Sequence, residues 1–185
     1  MNYPLFTSES VCAGHPDKVC DQISDAVVDA AIKIYPKSRV ACETLVTVNK
    51  IVMAGEVTCP EEIEFEQIAR EKVKELGYVD EKLGFSDKSE VEVYVHHQSP
   101  DIALGVDDGG AGDQGMMFGY ACDETDQLMP LPISMANDLC RKMDELQGKY
   151  KWIRPDGKSE VTVRYENGKP TAVEKGASLS VARND

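Results

Sequence analysis

Apolar residues at helical spacing follow the segment GHPDK, and they constrain the fold more than any other feature of this 185-residue chain. The residues that would share one helix face are Val19, Ile23, Ala26, Val27, Ala30 and Ile34. Such a stripe must be covered by another element of structure. The pattern predicts an amphipathic helix with Pro16 in its first turn. On the opposite face, we expect the aspartates spaced four apart from Asp21 to Asp29 to face water.

Three further stretches alternate apolar and polar residues, as β-strands with one buried face do. They are RVACETLVTV (39–48), KIVMAGEVTC (50–59) and SEVEVYVHHQ (89–98). In the last of these we expect Val91, Val93 and Val95 to be buried. A fourth stretch, SEVTVRYENGKPTAVEK, is typical of a hairpin, because Asn167 and Gly168 suit the positive-φ positions of a tight primed turn.

Two more segments have the pattern of helices. Pro60 opens the first of them, acidic residues follow in its first turn, and Gly77 ends it. The second begins near Pro132 and runs through Leu139 and Met143. Strands of this kind, with helices to cover them, predict an α+β fold with antiparallel or mixed sheets.

Charge and composition narrow the classes of partner. The chain has a net charge of −13 and a pI near 4.7, so we expect no binding to nucleic acid or to a membrane, whose phosphates would repel it. No stretch approaches the roughly 20 apolar residues of a membrane span. The start MNYPLFTSES lacks the regions of a signal peptide, which predicts a cytoplasmic protein. The six cysteines form no C-x-x-C pair, so we expect reduced, mostly buried thiols.

The segment GHPDK stands at the start of the predicted first helix. Backbone N–H groups and the helix dipole favour an anion at such a position. His15 and Lys18 add donors, and Asp17 supplies a hard oxygen ligand of the kind that Mg2+ prefers beside phosphate oxygens. The segment fits a metal-bound polyphosphate site, and it fits a plain capped helix start equally well.

Two glutamates lie in the predicted strands. Glu43 alternates with Ala41 and Leu45, and Glu56 follows VMAG. These positions would place both carboxylates on or near an inward face, where each needs a cation, a metal or an amino group as partner. An edge strand, or a register shifted by one residue, would instead leave the carboxylate in water.

A glycine-rich segment and a proline-containing turn are the remaining candidates. GGAGDQGMMFGYACDETD (109–126) is either a solvent loop or a backbone that lies close against a ligand. RPDGKSEV places Asp156 and Lys158 around a glycine, which is an everyday turn but also presents a lysine to a phosphate. The P-loop, the dinucleotide-binding glycine motif and the G-x-S-x-G elbow are absent from the sequence.

Four blocks of sequence occur in order from about residue 5 to about residue 173. They are LFTSESVCAGHPDKVCDQISDAVVDA, RVACETLVT, GAGDQGMMFGYACDETDQLMPLPI and WIRPDGKSEVTV. Together they closely resemble the S-adenosylmethionine synthetase family, also called methionine adenosyltransferases. The resemblance implies part of a fold of repeated α+β domains. It also implies formation of S-adenosylmethionine from ATP and L-methionine, with release of phosphate and diphosphate.

The resemblance assigns the ATP and metal contacts residue by residue. It implies that His15 contacts the triphosphate bridge and that Asp17 binds Mg2+. Glu43 resembles the carboxylate of a K+ site. Asp156 and Lys158 resemble the pair that contacts ATP, and His15 and Lys158 are the residues expected to act in catalysis.

The methionine contacts implied by the resemblance fall on Glu56, Gln98 and Asp113. Asp113 lies in the glycine-rich segment, where the glycines would let the backbone approach the substrate. A neutral thioether is already nucleophilic, so the family's reaction depends on positioning and on stabilising the leaving group. This requirement agrees with the lack of a nucleophile-and-base motif in the chain.

The family also has a second half roughly as long again, with a segment of the G-G-G-A-F-S-G-K-D type that does not occur in these residues. Its site forms between subunits, which implies a homodimer or a dimer of dimers. Two hypotheses therefore stay open. The chain shares the family's activity, or it is a non-catalytic fragment or ATP- and metal-binding module that needs a separate second half.

Within the family's scheme we expect three regions. Residues 1–125 would form the N-terminal and first interleaved α+β region. Residues 126–175 would begin the central region and end in the hairpin, and 176–185 would be a divergent tail. The segment between Asp101 and Gly110 is short where the family often carries a mobile loop, so closure over the site would be curtailed.

Overall fold

The computed structural model describes residues 4–97, 116–150 and 152–180. Its elements in chain order are β1 (Leu5–Val11), α1 (Pro16–Ile34), β2 (Arg39–Thr47), β3 (Lys50–Thr58), α2 (Phe65–Glu75), a 3-10 turn (Glu81–Leu83), β4 (Glu90–His96), α3 (Leu131–Gln147), β5 (Gly157–Glu166) and β6 (Lys169–Ser180). They divide into two compact units, here called the first unit (Met1–Lys18 with Phe118–Asp185) and the second unit (Val19–Met117). Each unit contains a three-stranded sheet, and the α+β fold class is confirmed. No helix in the described ranges is long and apolar enough to cross a membrane.

The sheet of the second unit has the strand order β2-β3-β4. β2 and β3 are antiparallel, and the tight turn between them contains Asn49 with a φ of 53°. β3 and β4 are parallel, and α2 lies in the connection between them, because parallel neighbours need a crossover rather than a hairpin.

α1 and α2 share one apolar core with this sheet. Its buried side chains are Val19, Ile23, Val27, Ala31, Cys42, Ile51, Met53, Val57, Ile63, Ala69 and Val73. The predicted stripe of α1 is confirmed, except that Ala31 rather than Ala30 is fully buried. Full burial of a Val or Ile side chain stabilises a fold by about 1.5–3 kcal/mol, so this cluster accounts for much of the unit's stability.

The start of α2 differs from the sequence prediction. The helix begins at Phe65 rather than at Pro60. Ile63 is itself buried in the core, so the chain after β3 is held there as an irregular segment before the helix starts. The predicted end is confirmed, because Gly77 follows the last helical residues with a φ of 92°.

The burial of β4 also differs from the prediction. Val91 and Val95 are partly buried and pack against the core, as expected, but Val93 is 40% exposed. β4 is an edge strand of the described sheet, so it has a neighbouring strand on one side only. Val93, in the middle of β4, therefore stays accessible to solvent.

The sheet of the first unit has the order β1-β5-β6 and is antiparallel throughout. α3 covers one face and packs on the buried Val161 and Val163. The predicted hairpin is confirmed: Asn167 and Gly168 have φ values of 53° and 77° between β5 and β6. β6 continues to Ser180, so the first part of the expected tail is strand.

The acidic end of the glycine-rich segment contains Glu124, the residue that holds the start of α3. The Glu124 carboxylate accepts hydrogen bonds from the Leu131 backbone N–H (2.9 Å) and from the Tyr165 hydroxyl (2.7 Å). Burial and the bond to Glu124 raise the pKa of Tyr165 above its usual value. One carboxylate thus joins the helix N-terminus to the central strand, where the helix dipole also favours a negative charge.

Replacing Glu124 with Ala should lower the free energy of unfolding by about 1–3 kcal/mol, because two hydrogen bonds to a charged group are lost. Urea denaturation provides the measurement. Asp126→Ala is the control, since Asp126 is an exposed acid two residues away. Equal stability of the two variants would contradict the capping role.

Candidate functional site

The turn between β1 and α1 carries the segment GHPDK and is fixed by backbone hydrogen bonds to its surroundings. The Cys12 N–H donates to the Gly157 carbonyl at 2.8 Å. The His15 N–H donates to the Cys12 carbonyl at 3.0 Å, which curls the chain into the first turn of α1. The path of the segment is therefore set by the start of β5.

Gly14 brings GHPDK into contact with the proline-containing turn before β5. The residue is buried, and a Cβ built on it would lie 2.4 Å from the carbonyl carbon, the carbonyl oxygen and the Cβ of Pro155. Only a residue without a side chain fits this approach. As a result, the backbone of the turn before β5, which contains Asp156, lies against the turn that carries His15.

His15 and Asp17 lie together at the beginning of α1. The Asp17 backbone N–H donates to His15 Nδ1 at 3.3 Å, so this nitrogen acts as an acceptor. His15 Nδ1 lies 3.9 Å from Asp17 Oδ2. The Asp17 side chain is 91% exposed and that of His15 is 24% exposed. The carboxylate is thus open to a cation from solvent, while the imidazole is partly enclosed.

Lys158 is paired with a carboxylate that the sequence analysis did not identify. Its Nζ lies 2.7 Å from Glu9 Oε2, and both side chains are about half exposed. The hydrogen bond to Glu9 raises the pKa of Lys158 above its usual value. Glu9 is in β1, where it faces Glu160 of β5 in the strand register. LFTSESV carries no local signal for this pairing, because Glu9 and Lys158 are far apart in sequence and meet only through the pairing of β1 with β5.

Glu43 does not lie on an inward face, so that expectation is wrong. Cys42 of β2 is buried, whereas Glu43 is exposed together with Ala41 and Leu45. Side chains alternate along a strand, and burial of Cys42 requires its neighbour to point the other way. The alternative that left this carboxylate in water is correct.

Glu56 lies on the same outward face as Glu43 but is half-buried. It is opposite Ala41 in the antiparallel register, while Glu43 is opposite Ala54. The preceding Gly55 has a φ of 138°, and a Cβ on it would lie 1.9 Å from the Ala41 carbonyl oxygen. The close approach of the two strands thus depends on this glycine.

Gln98 and Asp113 lie outside the described residues, as do the segment from Asp101 to Gly110 and the glycines at 109–115. Within the described ranges, no three His, Cys, Asp or Glu side chains are grouped as a metal site. The assignments of Mg2+ to Asp17 and of K+ to Glu43 therefore remain predictions.

Replacing Gly14 with Ala should lower the free energy of unfolding by about 1–3 kcal/mol, since the added methyl group forces the GHPDK turn away from Pro155. Thermal and urea denaturation measure the loss. Gly119→Ala is the matched control, because a Cβ at Gly119 would have no neighbour within 4 Å. A Gly14→Ala variant as stable as this control would show that the contact is not a constraint.

Comparison with known proteins agrees with the resemblance found in the sequence. Residues 3–100 match the family model for the N-terminal domain of S-adenosylmethionine synthetase, and residues 108–178 match the model for its central domain. An S-adenosylmethionine synthase from Parvibaculum lavamentivorans (strain DS-1 / DSM 13023 / NCIMB 13966) is 57% identical over 180 residues, which cover 91% of this chain and 46% of that protein.

A second S-adenosylmethionine synthase, from Parafrankia sp. (strain EAN1pec), is 47% identical over 189 residues, which cover 92% of this chain and 48% of that protein. The chain thus spans about half the length of the curated relatives it matches. Because two domain models of one family match successive parts of it, the chain belongs to the S-adenosylmethionine synthetase family.

Proposed function

We propose that this chain supplies part of the site that forms S-adenosylmethionine from ATP and L-methionine. The observation that carries the proposal is the contact of Gly14 with Pro155. This contact joins the backbones of two turns, one next to His15 and Asp17 and the other next to Asp156 and Lys158, and it supports the proposal that the four residues serve one site. Two donors and two carboxylates beside a helix start suit a metal-bound triphosphate better than an apolar ligand.

In the proposed reaction, a lone pair of the methionine sulfur attacks C5′ of ATP and the C5′–O bond breaks. The triphosphate leaves with the electron pair of the C5′–O bond. The sulfur becomes a sulfonium, and no proton is transferred. Hydrolysis then converts the triphosphate to phosphate and diphosphate. The roles proposed for His15 and Lys158 are to donate hydrogen bonds to the triphosphate as its negative charge grows.

Asp17 fits a Mg2+ ion, because its exposed carboxylate is a hard oxygen donor next to the proposed phosphate site. Mg2+ prefers one or two carboxylates together with phosphate oxygens and water. Bound there, it would neutralise charge on the leaving triphosphate. Glu43 offers a similar oxygen donor to K+ on the outward face of the β2-β3-β4 sheet.

The proposed methionine contacts are Glu56, Gln98 and Asp113. Glu56 supports this assignment, since a half-buried carboxylate is more stable with an amino group as partner.

The outward face of the β2-β3-β4 sheet is proposed to pair with a second copy of the chain. Leu45 and Tyr94 are 57% and 54% exposed there, and covering them would remove apolar surface from water.

Binding of the triphosphate must compete with the ion pair between Lys158 and Glu9. The Nζ–Oε2 distance of 2.7 Å means that the lysine already has an anionic partner. The affinity for a phosphate therefore depends on the difference in free energy between two ion pairs, lysine with phosphate and lysine with Glu9.

We also propose that the protein works in the cytoplasm. The six cysteines are all free thiols and would stay reduced there.

A second candidate is binding of Mg2+–ATP without turnover. The observation in its favour is that the chain spans about half the length of the relatives it matches. The two candidates share the binding step and differ in whether product forms.

Asp17→Ala should weaken binding of Mg2+–ATP by about tenfold or more, because a metal ligand is lost while the exposed position leaves the fold intact. Isothermal titration calorimetry measures the affinity, with Asp21→Ala one turn further along α1 as the control. Equal affinity of the two variants would refute the metal assignment.

Mass spectrometry of the same samples with methionine, Mg2+ and K+ then separates the candidates. S-adenosylmethionine that disappears in Asp17→Ala indicates the synthetase reaction. Binding of Mg2+–ATP without product favours the second candidate.

Glu43→Ala should remove any dependence of binding or product formation on K+, because the proposed cation site loses its carboxylate. A titration with KCl at constant ionic strength measures the response. Asp29→Ala, which removes an exposed charge from α1, is the control. A response to K+ in Glu43→Ala identical to that of the parent chain would contradict the assignment.

A further inference from the structure

Asp144 of α3 contacts the residue that precedes GHPDK, next to the place where Pro155 contacts Gly14. Its Oδ1 and Oδ2 lie 3.2 and 3.3 Å from the Ala13 backbone nitrogen, and both accept from that N–H. Ala13 directly precedes Gly14. The peptide that enters the candidate site is therefore held by a carboxylate from a helix distant in sequence.

Asp144 is partly buried close to the Cys12 thiol, which is a costly place for a carboxylate. The Cys12 thiol donates to the Cys140 carbonyl oxygen, with Cys12 Sγ 3.9 Å from that oxygen. Burial raises the pKa of Asp144, while the hydrogen bond from the Ala13 N–H and the nearby Cys12 thiol act in the opposite direction. A carboxylate with an unfavourable solvation energy stabilises the fold only through the groups that it holds.

Asp144 accepts its hydrogen bond from the backbone of Ala13, so it affects the position of the chain at the start of GHPDK. Gly14 is seated on Pro155, and the Cys12 N–H is bound to the Gly157 carbonyl. Asp144 adds a side-chain contact at Ala13, between these two. A charge-assisted hydrogen bond is roughly twice as strong as a neutral one, which suits it to fixing a peptide plane.

We propose that Asp144 is a positioning residue for the polyphosphate site: by holding the Ala13 N–H it fixes the peptide before Gly14, and hence the direction in which His15 and the first turn of α1 face. This inference rests on the proposed function for its ligand. It adds a residue of α3 that the family resemblance did not assign.

The test compares Asp144→Leu, which has no acceptor, with Asp144→Asn, whose amide oxygen still accepts without a charge. The control is Glu145→Gln on the next, exposed position of α3. Amide hydrogen exchange by NMR reports on Ala13 and His15, and calorimetry reports on affinity for Mg2+–ATP. Asp144→Leu should raise the exchange rate at Ala13 about tenfold and weaken binding of Mg2+–ATP about tenfold. Asp144→Asn should restore both quantities to within about threefold of the parent chain.

Exchange and affinity in Asp144→Leu equal to those of Glu145→Gln would overturn the proposal. So would an Asp144→Asn variant with normal exchange at Ala13 but weakened binding, since charge rather than position would then matter. If Asp144→Leu does not fold, Asp144→Ser takes its place, because the shorter hydroxyl falls well short of the Ala13 nitrogen.

Failure of the proposed function gives a different result. If the parent chain does not bind Mg2+–ATP, or binds it no better than His15→Ala does, the proposed polyphosphate site is wrong. The role of Asp144 in ligand binding is then overturned with it. Exchange at Ala13 then still decides whether Asp144 holds the turn.

Discussion

The contact between Gly14 and Pro155 is the constraint on which the first unit's candidate residues depend. It leaves no room for a side chain, so the backbone of one turn lies directly on the other. The strand register of β1 and β5 sets the same alignment, with Val11 opposite Lys158. Residues far apart in sequence thus converge because two loops leave neighbouring strands at one end of a sheet.

Charge in this protein acts locally rather than through the overall field. A chain with a net charge of −13 repels phosphate at long range, but salt screens such repulsion beyond about 8 Å. What a bound anion would meet is the short-range set of donors at the turn. Lys158 is already paired with Glu9, so any anion at this turn would have to compete with a carboxylate of the chain itself.

In the second unit, core packing decides on which face of β2 and β3 the two glutamates lie. β2 and β3 have one side committed to the core by Cys42, Ile51 and Met53, and the alternation of side chains then sends Glu43 and Glu56 to the other side. The direction of the two carboxylates is therefore set by buried residues on the opposite face of the same strands. Core packing decides what the outward face presents.

The sequence by itself determined the three helices apart from the start of α2, the strands other than β1, the hairpin at Asn167 and Gly168, and the family, because periodicity, turn residues and motifs are local properties. It did not determine the facing of Glu43, since a shift of one residue reverses a strand face and only core packing selects between the two. It gave no indication of Glu124, Glu9 or Asp144 as anchors. Those roles depend on pairings across more than forty residues for Tyr165 and more than a hundred for Ala13, which only the tertiary structure brings within hydrogen-bond distance.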